Sequence, residues 1–357
     1  LLSRLGWKVK TRARGIILTS MSSQWKVILK RSWPTIRIVL SIALLWKATS
    51  GIDWKALFES ELQLQAQWLV AGGLCITAAF ICGGLRWGLF MQRAGFQGSL
   101  LGYVALYFSG GLINQGLPST LGGDSYRAIA GTHLTRSGQL SQEKELAEEL
   151  SHADDLKQQN PKLRLGFSMT LLDRVVGLMG NNILGGIGLV IGGATLGTWG
   201  TELGYLILLV MLGAGCVLAF ALSYKPLLIW IEKLLARFDL HHALPGIRLA
   251  FAWPTNIAQG IFAVSIHCFN ILALGFCLKA YGAEVPTEAL MIGLPALSLL
   301  LMLPISISGW GLREATLASV LALWGVNPSL TVLGSISYGA ITLLCVLPGA
   351  YKLLKRS

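Results

Sequence analysis

Charge is scarce in this 357-residue chain, and acid scarcer than base: 17 Asp and Glu stand against 29 Lys and Arg, together 13% of the residues. So small a charged fraction cannot cover a water-soluble globule of this length, whereas 54% hydrophobic residues suit a chain whose surface lies largely in lipid. The sequence has no HExxH, GxSxG, P-loop or DxD motif and no Cys/His cluster, so metal hydrolysis, serine esterase chemistry and nucleotide-driven reactions find no support. Cysteine is sparse. The six, at positions 75, 82, 216, 268, 277 and 345, all lie in apolar runs without CxxC spacing, which reads as packing rather than disulfide or metal. Adjacent His241 and His242 on a polar stretch are poorly placed to share a metal, so no metal or cofactor is expected. A removable leader is not expected either, because Lys26, Lys30 and Arg31 interrupt residues 16–33 and no small-residue cleavage pattern follows. The net charge of +12 comes without a nucleic-acid motif, and the basic residues flank apolar runs. Topology explains them better than nucleic acid does.

What is abundant is long apolar runs. Several reach roughly 20 residues, enough to cross a hydrocarbon core about 30 Å thick at about 1.5 Å per residue. A basic arm, residues 1–32, precedes a single transmembrane domain, 33–357. Spans are expected at Trp33–Ser50, with Arg37 and Lys47 snorkelling, and at Leu64–Leu85, Leu165–Leu196, Leu203–Leu222, Asn256–Leu278 and Ser329–Ala350. Lys225, Lys233, Arg237 and Arg248 mark a cytoplasmic loop, and 131–164 is a charged cytoplasmic insertion with six acids and five bases. His267 reads as a packing residue within its span.

Two further apolar segments are interrupted. The first, 98–130, breaks at Asn114–Gly123 and contains Pro118, Gly122 and Gly123 as turn residues; the second, 287–325, breaks at Pro304–Gly311 and contains Gly309 and Gly311. Leu117/Leu303, Pro118/Pro304, Gly123/Gly309 and Arg127/Arg313 fall at equal offsets from the two prolines. With the N-terminus inside, all but six of the 29 Lys and Arg are cytoplasmic; Lys47, Lys55 and Lys279 lie outside, and Arg127, Arg174 and Arg313 in the membrane. The expected fold is therefore an all-α polytopic membrane protein of about six full spans plus two re-entrant hairpins. It forms an inverted repeat split near residue 200, with both termini cytoplasmic.

The charges left inside the membrane are Asp124, Arg127, Asp173, Arg174, Arg313 and Glu314. Each is costly facing hydrocarbon, so they are expected to face a cavity or one another. Asn114, the two arginines and the half-helix N-termini suit an anion, with the carboxylates balancing charge. The competing reading is that the carboxylates merely neutralise the arginines and hold the hairpins.

At Arg86-Trp87, Leu117-Pro118, Gly122-Gly123-Asp124-x-x-Arg127, Asp173-Arg174-x-x-Gly177-Leu178 and Gly309-x-Gly311-x-Arg313-Glu314, the chain resembles the lysylphosphatidylglycerol synthase/flippase transmembrane-region family, over residues 35–350. The resemblance implies a lipid translocase, or flippase, of the bacterial inner membrane. Its cargo would be a phospholipid with a large polar or charged headgroup, such as an aminoacylated one; the intramembrane charges read above would place its headgroup phosphate at Arg127 and Arg313. The alternative is a membrane-embedded glycosyltransferase using polyprenyl-phosphate-linked donors. Membrane lipids, including lipid-linked sugars, are the expected partners, and a homo-oligomer stays open. Bifunctional relatives carry a cytosolic synthase domain after the membrane region; this chain stops at Ser357 and is not expected to make an aminoacyl lipid itself.

Overall fold

A computed structural model describes residues 35–50, 52, 64–116, 121–135, 160–237, 243–302 and 306–354. Pro118, Pro304, the arm 1–32, most of the insertion, and His241-His242 lie outside the described residues. Among the described residues the regular elements are α-helices joined by short 3-10 turns. In chain order they are α1 (35–50), α2 (Ala66–Arg93), α3 (Leu100–Gly116), α4 (Leu121–Thr132), α5 (Pro161–Gly192) and α6 (Thr198–Ser223). They continue as α7 (Lys225–Arg237), α8 (Leu244–Phe251), α9 (Thr255–Lys279), α10 (Thr287–Leu301), α11 (Leu312–Leu321), α12 (Pro328–Val346) and α13 (Ala350–Leu354).

Among the described residues, five stretches are long and apolar enough to cross a membrane: Ala66–Arg93, Pro161–Leu196, Thr198–Ser223, Thr255–Lys279 and Pro328–Leu354. The described part of the expected first span is the 16-residue α1, which is not among the five. Arg37 at its start is buried rather than snorkelling to the surface. The expected cytoplasmic loop at 225–248 contains two helices, α7 and α8. The insertion also ends sooner than expected, because Pro161 already opens α5.

The helix starts follow from local sequence. Asn160 and Asn327 each stand before a proline, and their Oδ1 atoms accept hydrogen bonds from Lys162 N (3.0 Å) and Ser329 N (2.8 Å). Each pair satisfies a free N–H and pre-sets the backbone of the first turn, so α5 and α12 begin alike.

Packing repeats across the two halves. α2 runs antiparallel to α9: Gln65 N donates to Ala280 O (3.0 Å), Trp68 stacks on Phe276, and Gly72 lies against Ala273 and Cys277. Around this pair, α3 packs on α2 as α10 packs on α9, α4 on α5 as α11 on α12, and α5 on α10 as α12 on α3. Every contact in this set maps onto another when the halves are exchanged. α6 is peripheral, touching α5 through Gly186 and Gly204 and the 3-10 turn after it through Gly200, while Leu209, Val217 and Phe220 point outward. Such faces suit lipid contact.

The breaks differ from expectation in position. α3 continues through Asn114 to Gly116 and α4 resumes at Leu121, so Asn114, Gly122 and Gly123 are helical and only 117–120 separates the limbs. The amide of Asn114 extends its helix toward the partner limb, where its Oδ1 accepts from Gly123 N at 2.8 Å. Gly123 therefore serves close approach: a Cβ there would overlap the Gly110 carbonyl oxygen and Asn114 Oδ1. The second break is longer and irregular because Ser308, Gly309 and Gly311 all have left-handed φ (51°, 80° and 81°), which postpones the helix to Leu312.

Gly123→Val should lower the unfolding temperature in detergent, costing about 1–3 kcal/mol from overpacking. Gly260→Ala, where a Cβ meets nothing within 4 Å, should leave it unchanged or slightly raised. Thermal unfolding followed by circular dichroism separates the two.

Candidate functional site

Five charged side chains from three helices meet in the first half. Asp173, midway along α5 and 2% exposed, accepts from Arg86 Nε of α2 at 2.8 Å, and Arg86 Nη2 also donates to the Asp173 carbonyl at 3.0 Å. Arg127 of α4 places Nη1 at 3.7 Å from Asp173 Oδ2 and donates from Nη2 to Asp124 Oδ1 at 2.6 Å. Asp124 Oδ2 in turn accepts from Arg174 Nε. Asp124 and Arg127 lie three apart on α4, hence on one helical face, while Asp173 and Arg174 are neighbours that diverge around α5.

Arg86, Asp124, Arg127 and Asp173 are all less than 10% exposed, whereas the Arg174 side chain is 41% exposed. Three arginines against two aspartates leave a net charge of +1 with all five ionised. The guanidinium of Arg127 is also covered by Tyr107 (4.3 Å to the ring centroid) and Trp87 (5.1 Å). Aromatic faces stabilise a desolvated cation. Within this cluster, and among the described residues, two buried donors have no hydrogen-bond partner, Nη1 of Arg86 and Nη1 of Arg127. His267 of α9 closes one side by bonding Gly177 O through Nε2 at 2.8 Å.

The second half holds a different arrangement. Arg313 donates to its sequence neighbour Glu314, from Nε (2.9 Å) and Nη2 (2.8 Å) to the same Oε1. Ser335 of α12 joins both, and Glu314 Oε2 accepts from Gly311 N at 2.6 Å, tying off the start of α11. Trp310 and Tyr338 flank the guanidinium at 4.8 and 5.9 Å. One arginine here balances one glutamate, and Glu314 is fully buried.

The expected single site thus separates into two clusters. Among the described residues no hydrogen bond or ion pair links Arg127 to Arg313. The hairpins meet instead where Ser308 Oγ of the second break donates to Gln115 Oε1 at the first, 2.7 Å. The arginines also sit differently, Arg313 in the first turn of α11 and Arg127 in the second turn of α4, because the two breaks differ in length.

Arg86 was missed as a site residue because a span ending at Leu85 is already long enough. The apolar pattern in fact continues through Trp87, Phe90 and Met91, which is the signal that puts Arg86 inside. The first cluster offers a pair of guanidinium forks to an oxyanion, and both carboxylates face arginines rather than an open reaction centre.

Removing one member of a buried pair strands its partner, at about 3–5 kcal/mol, whereas replacing both with apolar residues is often neutral. Glu314→Ala should therefore destabilise the protein more than the double change Arg313→Met/Glu314→Leu, as read by unfolding temperature.

Separate comparisons with curated proteins and with solved structures found no match. The family model described as the lysylphosphatidylglycerol synthase TM region matches residues 35–349, and this multi-pass membrane protein therefore belongs to that family.

Proposed function

We propose that the protein is a lipid translocase of the bacterial inner membrane, moving a lipid with a large polar or charged headgroup and binding its phosphate at the first-half cluster. The observation that carries this reading is the pair of donors without a hydrogen bond, Arg86 Nη1 and Arg127 Nη1, in a buried cluster with one surplus positive charge. Two phosphate oxygens would fill those donors, and a monoanionic phosphodiester would cancel the surplus charge. Arg313, expected to share the phosphate, has its own counter-ion in Glu314 and acts as an anchor for the second hairpin.

In this reading α3–α4 and α10–α11 are re-entrant hairpins that enter from opposite faces. Limbs of 17 and 12 residues, and of 15 and 10, are roughly 15–25 Å long, short of a core about 30 Å thick. The antiparallel α2–α9 pair and the exchange of contacts between halves support an inverted repeat, with alternating access produced by one hairpin moving against the other. Both clusters are largely closed in this conformation, so access requires the Gln115–Ser308 contact to part. The lipid's own gradient or an ion gradient supplies the driving force, and no bond to the lipid is made or broken.

Reconstituted protein should move a headgroup-labelled anionic or aminoacylated phospholipid between leaflets, read by the fraction protected from an impermeant quencher. Arg127→Ala and Arg86→Gln should each reduce the rate at least tenfold; wild-type rates in both would reject the site. Formation of a glycosylated product from a polyprenyl-phosphate sugar would overturn the transport reading itself.

In a cysteine-free background, Gln115→Cys/Ser308→Cys should be bridged by a short bifunctional methanethiosulfonate reagent and lose transport until the bridge is reduced. Transport at full rate while cross-linked would show that the hairpins need not separate.

A further inference from the structure

A cleft of about 400 Å³ opens between the ends of α2, α8 and α9, lined by Arg93, Leu244, Arg248, Leu249, Trp253 and Thr255. Both arginines are exposed; among the described residues neither takes part in an ion pair and no acid lines the cleft. Its level in the membrane follows from the chain path. Residues 224–254 join the end of span α6 to the start of span α9, so α8 lies at one membrane boundary. α2 is antiparallel to α9 and ends there too, at Arg93. Trp253, 71% exposed, sits where tryptophans mark the headgroup layer. The helix before α8 has the same character: α7 has no buried residue and exposes Leu227, Trp230 and Leu234 together with Lys225 and Lys233.

The cleft also adjoins the buried cluster. Arg93 follows Arg86 by seven residues on α2, two turns on the same face, or about 10 Å along the helix. From the other side, Gly246 of α8 packs on Met169 and Leu172, the residues of α5 just before Asp173. Thr255 Oγ1 donates to Ala252 O (2.9 Å) and Arg248 O (3.3 Å), fixing α8 to the start of α9.

We infer that Arg93 and Arg248 form a vestibule that takes the phosphodiester of an anionic phospholipid from the headgroup layer and presents it to Arg86 and Arg127. The inference rests on the transport reading for its purpose, though not for the binding itself. Apolar Leu244, Leu249 and Trp253 suit the glycerol and upper acyl region of the same lipid, which makes a lipid a better fit than a free phosphate.

The test uses the full chain in nanodiscs, with Ala252→Cys as the single cysteine carrying an environment-sensitive fluorophore, titrated with phosphatidylglycerol in phosphatidylcholine. A saturable response is expected, and Arg93→Gln/Arg248→Gln should raise the half-saturating fraction about five- to tenfold, the effect of losing two exposed charge contacts. The double variant should move lipid slowly at low phosphatidylglycerol and near the wild-type rate at high, because the buried cluster is intact. Both arginines are exposed, so its unfolding temperature should match wild type. An unchanged titration in the double variant, or a linear response to bulk surface charge, would overturn the vestibule. Inorganic phosphate at constant ionic strength should not compete, and full displacement by it would overturn the lipid assignment. Failure of wild type to move lipid, with the titration still shifted in the double variant, would remove the transport reading and leave the binding site standing.

Discussion

Burying Asp173 is the constraint on which the rest of the structure turns. A carboxylate 2% exposed inside an apolar bundle persists only with counter-charges within reach, and Arg86 and Arg127 provide them from two other helices. That requirement fixes the lateral order of α2, α4 and α5. It also explains the small residues around the cluster: Gly110 leaves room for the stem of Arg127, and Gly177 for the guanidinium of Arg86. Side chains larger than these would force the charges apart, and an unpaired charge in a low-dielectric interior costs more than the packing it displaces.

The two halves share a packing plan and divide the chemistry unequally. α2 with α9, α3 with α10, α4 with α11 and α5 with α12 occupy corresponding places. Yet the first half gathers three arginines and two aspartates, while the second closes one arginine on one glutamate and a serine. A surplus cation with unfilled donors attracts an anion; a neutral, compact pair holds its element in place. Under the proposed transport, the first hairpin carries the ligand and the second is the body it moves against. The hydrogen bond between Gln115 and Ser308 is where they touch.

Much of this was legible in the residue order. Asn-Pro at 160–161 and 327–328 fixes two helix starts, and the apolar runs from Ala66, Thr198 and Thr255 announce their spans by length alone. The interrupted segments were also visible, since each gathers a proline and several glycines within a few residues of one apolar run. Less legible was where each break falls. Gly122 and Gly123 look like turn residues beside Gly309 and Gly311, but Gly123 is helical because close contact with Gly110 and Asn114, rather than left-handed backbone, demands a glycine there. Local sequence does not distinguish these two needs.

By itself the sequence determined that the chain is helical and membrane-bound, and that charges placed within its apolar segments must find partners, because hydrocarbon offers none. Only the tertiary structure decided which partners they found. Arg86 and Asp173 are 87 residues apart, and Arg127 and Arg313, alike in local motif, ended in separate clusters. The physical reason is that periodicity specifies which face of a helix is polar, whereas pairing depends on which helix that face meets across the bundle.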